Sequence, residues 1–293
     1  MRPLKIVVLA KQVPDTRNVG PDAMKPDGTV NRGKLPVIFN PDDLHALELA
    51  LNIKDRVPGT HITILTMGPK RAADIVREGY YRGADYGVMI SDRRFGGADT
   101  LATSYTLVKG IEKIGKVDLI IGGRQAIDGD TAQVGPQSAE KLHIPQITYV
   151  EEVVDMNDHE IIAKRRLEKG VETLSSPFPC LMTVHDSSPQ CRTRIAKRVM
   201  QYKYARTATE LKSKTTPDYI RDLHEKKPYL TIPEWGVEDI QAEMEKIGLA
   251  GSPTKVKTVE SIVLKASEAK RISGSDEAVD QMVKELIANH IIG

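Results

Sequence analysis

The sequence predicts an α/β fold: a doubly wound, mostly parallel sheet with helices on both faces, extended by antiparallel strands and a C-terminal arm. Three observations carry this. Short β-branched runs have the continuous apolar character of strands buried on both faces, segments of helical spacing alternate with them, and the connections after the strands contain Gly and Asp.

Ile6-Val7-Val8-Leu9-Ala10 is the first such strand. Residues 42–56 then repeat Leu44, Leu47 and Leu51 at helical spacing, with Pro41 and Asp42 in front as a start signal. His61 to Thr66 reads as strand, 69–82 as helix and Tyr86 to Ile90 as strand. Residues 99–115 read as helix, Val117 to Ile121 as strand and 131–142 as helix. This alternation argues for crossover connections and a parallel sheet. From Gln146 the pattern changes to extended segments at 147–154, 160–165, 171–174 and 180–184. Charged turns and prolines separate them, which predicts antiparallel strands added to the main sheet. Residues 190–235 are basic and polar without a clean period, and a short helical pattern covers 237–248. A Gly251-Ser252-Pro253-Thr254 turn, a polar segment and a final helix from about Asp276 to His290 complete the chain. This tail buries little surface on itself and is expected to pack along another chain.

Composition removes several function classes. With 293 residues and 40% hydrophobic content, the chain has material for a substantial core and is neither disordered nor fibrous. Lys+Arg total 42 against 40 Asp+Glu, and the net charge of +2 gives no reason to expect nucleic acid or an anionic membrane as partner. Only Cys180 and Cys191 are present, which excludes a disulfide scaffold and fits a reducing compartment. The apolar run ending at Ala10 is too short for a signal segment, and no stretch of about 18 apolar residues follows. A soluble, cytoplasmic chain without membrane insertion is expected.

Two stretches carry candidate chemistry. Gly122 to Ser138 lies between a buried strand and a helix, where glycines allow close backbone approach and free amides attract phosphate. Thr131, Gln133 and Ser138 add neutral donors. On local physics alone, a helix cap made by Asp130 or Thr131 comes first, and the spacing matches neither the Walker nor the dinucleotide fingerprint. Ser91 to Ser104 again runs from a strand end through glycines into a helix, so both loops would face one crevice at the carboxyl edge of the sheet. There Arg93 or Arg94 could stabilise an anion or be merely solvated, and Asp99 is more often a cap than a ligand. Cys180, His185 and Cys191 lack the spacing and fourth ligand of a zinc site, and His224-Glu225 lacks a downstream histidine at metalloprotease spacing. No Gly-x-Ser-x-Gly elbow exists, and the basic run Arg192 to Arg198 reads by default as a solvated face.

These residues resemble the β subunit of electron transfer flavoproteins over nearly the whole chain. Val7 to Asp15 matches the family's first strand and loop, Asn40-Pro41-Asp42-Asp43 its Asn-Pro turn, and Met67-Gly68-Pro69 its second βα loop. Arg124 to Gly135 is close to its nucleotide loop. Ala163-Lys164-Arg165, Glu168, Gly170 to Leu174 and Pro179 to Thr183 follow its signature, with a departure at Lys169. Lys11 to Asp15, Phe95 to Ser104 and Gly129 to Gly135 look like the electron-bifurcating branch.

The resemblance implies a Rossmann-like fold of the adenine nucleotide alpha hydrolase-like kind. It implies a nucleotide/flavin-binding domain at 1–190, with 191–293 as a partner-recognition segment and arm packing on an α subunit. It implies FAD in this chain, with AMP as the alternative, and NADH as electron donor. Electrons would pass to ferredoxin or flavodoxin and to an acyl-CoA dehydrogenase-like flavoenzyme. The alternative is a non-bifurcating subunit holding AMP as a structural nucleotide beside an α-subunit FAD. A nucleotide sensor of the same fold is a third reading, against which the family signature argues. Cofactor-binding roles transfer to Leu9, Ala10, Asn40, Asp42, Met67, Asp99, Thr100, Ser104, Asp128, Thr131, Gln133, Val134, Gly135 and Gln137. No residue is assigned as acid, base or nucleophile, and no metal site is expected. The stretch Arg192 to Met200, with Ile195 as a shifted hydrophobic anchor, corresponds to the dehydrogenase-docking loop.

Overall fold

The computed structural model describes residues 1–15, 35–254 and 270–292, so most of the polar segment expected after Thr254 lies outside the described residues. The chain forms two compact units, Met1–Lys257 and Thr258–Gly293.

The first unit opens with β1 (Lys5–Leu9), a short hairpin of β2 (Gln12–Pro14) and β3 (Val37–Phe39), and α1 (Pro41–Arg56). There follow β4 (His61–Met67), α2 (Ala73–Arg82), β5 (Tyr86–Ile90), α3 (Thr100–Ile114), β6 (Leu119–Gly123) and α4 (Val134–Leu142). Then come β7 (Gln146–Met156), β8 (Glu160–Leu167), β9 (Gly170–Pro177) and β10 (Cys180–Val184). The remainder holds α5 (Ala196–Tyr202), β11 (Arg206–Thr207), α6 (Ala208–Leu211), α7 (Asp218–Lys226), β12 (Thr231–Ile232) and β13 (Glu234–Trp235).

Nine strands make one sheet in the order β13-β5-β4-β1-β6-β10-β7-β8-β9. Pairing is parallel from β13 to β7, and only β8 pairs antiparallel with its two neighbours. The expected α/β class and doubly wound sheet are therefore present. The period-two backbone puts Ile6 and Val8 of β1 into a core shared with Leu47 of α1 and Ile75 of α2. Val7 and Leu9 point the other way, into a second core with Leu107 of α3 and Ala139 of α4. Both faces are buried, as the unbroken apolar run requires.

Several expectations are corrected. The segment at 180–184 is not an added antiparallel strand: β10 inserts between β6 and β7 and runs parallel to both. The helix expected from 131 begins at Val134, because Asp130 and Ala132 adopt positive φ of 50 and 53 and break the helical path. The helical pattern at 237–248 yields turns and a single 3-10 turn, Met244–Lys246. The stretch from 191 to 254 belongs to the first unit, where it packs as short elements against α2, β5 and α3.

In the second unit, Ser275 caps α8 (Asp276–Ala288) by accepting the Ala278 amide. Val279, Met282, Val283 and Ile287 are exposed along one side at helical spacing. No helix among the described residues is long and apolar enough to cross a membrane.

Candidate functional site

β1 lies between β4 and β6, so the chain leaves it in one direction through α1 and later reaches its other side through α3. This reversal opens a crevice beyond the carboxyl ends of the strands. A cavity of about 400 Å³ fills the crevice. Leu9, Ala10, Leu65 and Met67 form its floor with Phe95 and Leu107, and its far wall is the loop from Gly122 to Gly135.

Buried side chains at the start of α1 set the two walls. Asp43 accepts the Lys11 amide at 2.8 Å and the Gly123 amide at 3.0 Å, joining the loops that follow β1 and β6. Burial pushes its carboxyl up to about 7 against the lowering effect of those amides. Asn40, fully buried, donates to the Gln125 carbonyl at 2.8 Å and accepts the Ile127 amide at 3.2 Å. Gly123 is required here, since a Cβ would stand 2.5 Å from the Asp42 backbone.

The two helices that flank the mouth begin differently. Asp99 caps α3, its Oδ1 accepting the amides of Leu101 and Ala102. At α4, Gln133 occupies the cap position and makes no side-chain cap bond. The cap expected from Asp130 or Thr131 is not formed, and the Asp130 carboxylate instead accepts Gln125 Nε2 at 2.9 Å. Val134 and Gly135 thus bring an uncapped helix N-terminus to the cavity wall, the arrangement that favours an anionic group. The two helix starts are tied together: Thr100 Oγ1 donates to Gln133 Oε1 at 3.0 Å, and Ser104 Oγ to Gln137 Oε1 at 3.2 Å.

Of the residues selected from sequence, Leu9, Ala10, Met67, Asp99, Thr100, Thr131, Gln133, Val134 and Gly135 line the cavity. Asn40, Asp42, Ser104, Asp128 and Gln137 are not among its lining residues. Asp42 lies 3.6 Å from Arg124 Nε, and Asp128 pairs with Lys11 at 2.6 Å. Burial raises the Asp42 pKa, with Arg124 opposing the shift. No individual role was assigned from sequence to Lys11, Asp43, Phe95, Leu107, Gly123 or Arg124 on the wall, and of these only Leu107 lies outside the stretches singled out. The adjacent Asp42-Asp43 pair at a helix start signals a carboxylate here without saying which of the two reaches the strand ends.

Other candidates resolve into structural roles. Arg93 and Arg94 are absent from the cavity wall, and Arg94 pairs with Asp92 and Glu238 instead. In the basic run, Arg192 binds Glu48 and Asp55, Arg194 binds Glu78, and Arg198 donates to the Tyr80 and Ala84 carbonyls. Arg192 and Arg198 thereby bind the first unit to itself, while Arg194 and Lys197 stay exposed, so the solvated face expected is present only in part. Burial pushes the thiols of Cys180 and Cys191 up to about 11 and about 12.

Comparison with known proteins places the chain. Residues 27–210 match the family model described as electron transfer flavoprotein domain. The chain is 42% identical over 291 residues to caffeyl-CoA reductase-Etf complex subunit CarD of Acetobacterium woodii, covering 99% of this chain and 100% of that one. It is 40% identical over 290 residues to electron transfer flavoprotein subunit beta of Clostridium acetobutylicum, covering 97% and 95% respectively. It is also 40% identical over 294 residues to acryloyl-CoA reductase electron transfer subunit gamma of Anaerotignum propionicum, covering 99% and 100%. A doubly wound sheet with a crevice at the carboxyl ends of its strands and full-length relatives agree, and the chain belongs to the electron transfer flavoprotein β-subunit family.

Proposed function

We propose that this chain is the β subunit of a heterodimeric, electron-bifurcating electron transfer flavoprotein that binds FAD in the cavity between α3 and α4. NADH is the electron donor, and the acceptors are ferredoxin or flavodoxin and an acyl-CoA dehydrogenase-like flavoenzyme. Relatives named for caffeyl-CoA and acryloyl-CoA reductase complexes support this branch, and with it an α-subunit partner.

The observation that carries the reading is the continuity of the cavity. It runs from the uncapped start of α4 to the Phe95–Thr103 stretch, so amides suited to a phosphate and an apolar surface line one space. The residues present fit the group. The amides at Val134 and Gly135 suit a phosphate, and Leu65, Phe95 and Leu107 offer an apolar surface to a ring. When bound, FAD supplies hydride acceptance and one-electron release. The protein's own part is to bind, orient and exclude water. Asp43 and Asn40 hold the loops after β1 and β6 in register, and the Thr100–Gln133 bond keeps the mouth at one width. No side chain is assigned as acid, base or nucleophile.

The test is the nucleotide content of the co-purified αβ pair, released by denaturation and separated by chromatography. Two FAD and no AMP per heterodimer is the expected result. One FAD with one AMP would replace this reading with a structural-nucleotide subunit, and a colourless pair stabilised by AMP or ATP would point to a sensor.

A further inference from the structure

The segment from Glu234 to Thr254 wraps the outer corner of the first unit and ends at the rim of the cavity. β13 pairs beside β5 at the sheet edge, and Val237, Ile240 and Ile247 sink into the core shared with α3. Glycines set a close fit. At Gly248, φ is 51 and a Cβ would lie 2.1 Å from the Arg94 carbonyl oxygen. At Gly97, φ is 74 and a Cβ would lie 2.6 Å from the Leu249 side chain. The end of the segment then meets Asp99. Ser252, buried, accepts the Asp99 amide at 2.8 Å and donates to the Gly248 carbonyl at 2.6 Å. The Thr254 amide donates to Asp99 Oδ2 at 3.1 Å. Since Oδ1 already accepts Leu101 and Ala102, both oxygens of Asp99 are engaged by the chain's own amides.

We infer that Ser252 and Thr254 are positioning residues of the nucleotide site, holding Asp99 and, through it, the first turn of α3 with Thr100 and Thr103 against the cavity. An N-cap carboxylate gripped from behind has one orientation open to it. Thr100, the next residue, then presents its hydroxyl to Gln133 across the mouth. The segment is a strap that shapes one wall while touching no ligand, and Asp99 acts through the helix it caps. This inference rests on the reading that the cavity takes an adenine nucleotide.

The test is a double-mutant cycle on the αβ protein stripped of nucleotide, titrated calorimetrically with FAD and separately with AMP. Thr254→Pro removes the amide donor and should weaken binding about fivefold, with Ser252→Ala about threefold, the size of a disturbed helix cap. In an Asp99→Ala background, Thr254→Pro should cause no further loss. A strap that is structural only would lower the melting temperature and leave both affinities at the parent value, which overturns the inference. An undiminished Thr254→Pro effect in the Asp99→Ala background overturns it too. If Thr254→Pro does not fold, Ser252→Ala decides alone, and a parent-like affinity overturns the inference. Binding of AMP but not FAD by the parent protein defeats the flavin reading alone, because the cycle is then read on AMP. Binding of neither nucleotide defeats both.

Discussion

Asp43 accepts the Gly123 amide at 3.0 Å, so one buried carboxylate at the start of α1 fixes the end of β6 at the base of the cavity. With its other oxygen on Lys11, it ties together the two strands on either side of the switch point. Burial raises its pKa from 3.8 to about 7. The folded protein therefore holds a proton that the unfolded chain has released, and this group's contribution to stability declines as pH rises from about 4 to about 7, then levels. The stability difference between the parent and Asp43→Asn should shift against the parent across that window, by at most about 1.4 kcal/mol per pH unit. Urea unfolding of both proteins at several pH values checks this. A difference that does not vary with pH would show that Asp43 does not titrate there.

Thr100→Val keeps the side-chain shape and removes the donor to Gln133 Oε1 at 3.0 Å. Nucleotide retention through gel filtration should fall severalfold, while stability changes by about 1 kcal/mol or less. Unchanged retention would assign the mouth to other contacts.

Arg192 and Arg194 belong to one basic run but not to one physical class. Arg192 satisfies Glu48, whose side chain is 9% exposed, while Arg194 is itself 58% exposed beside Glu78. Arg192→Ala leaves buried Glu48 without its cation, though the residue-192 amide still donates to it, and should cost about 3 kcal/mol. Arg194→Ala should cost about 1 kcal/mol or less. Denaturant midpoints of the two variants measure the contrast. Charge reversal at Arg192 would therefore act on the fold of the first unit itself.

Gly248→Ala should destabilise the first unit by about 2 kcal/mol or more, because φ is 51 and the added Cβ meets backbone oxygen at 2.1 Å. Gly170→Ala is the control: a Cβ there meets nothing within 4 Å, and thermal unfolding should scarcely move. Equal melting temperatures for the two variants would remove the close fit from the account of the strap.

The alternation of buried runs and helical spacings in residues 6–142 was legible because each element carries its own periodicity, and the loops at strand ends were legible through their glycines. The direction of β10 was not. Strand sense depends on which neighbours it pairs with, and a five-residue apolar run such as Cys180–Val184 looks the same in either direction. The region from 191 to 254 was illegible for a related reason: elements of two to nine residues are too short to show a period and hold their form through packing on α2, β5 and α3.

By itself, then, the sequence determined the α/β class, the order of the main elements, the family and nine residues of the cavity wall, all of which are written in local runs and motifs. Only the tertiary structure decided that Asp43 rather than Asp42 joins β1 to β6, that Arg192 is internal glue, and that Ser252 and Thr254 reach Asp99. Those assignments depend on how one helix turn sits against the sheet and on contacts more than a hundred residues apart in sequence, as between Asp99 and Ser252. Such distances carry no local signal, and burial chooses among chemically equivalent side chains only once the chain has folded.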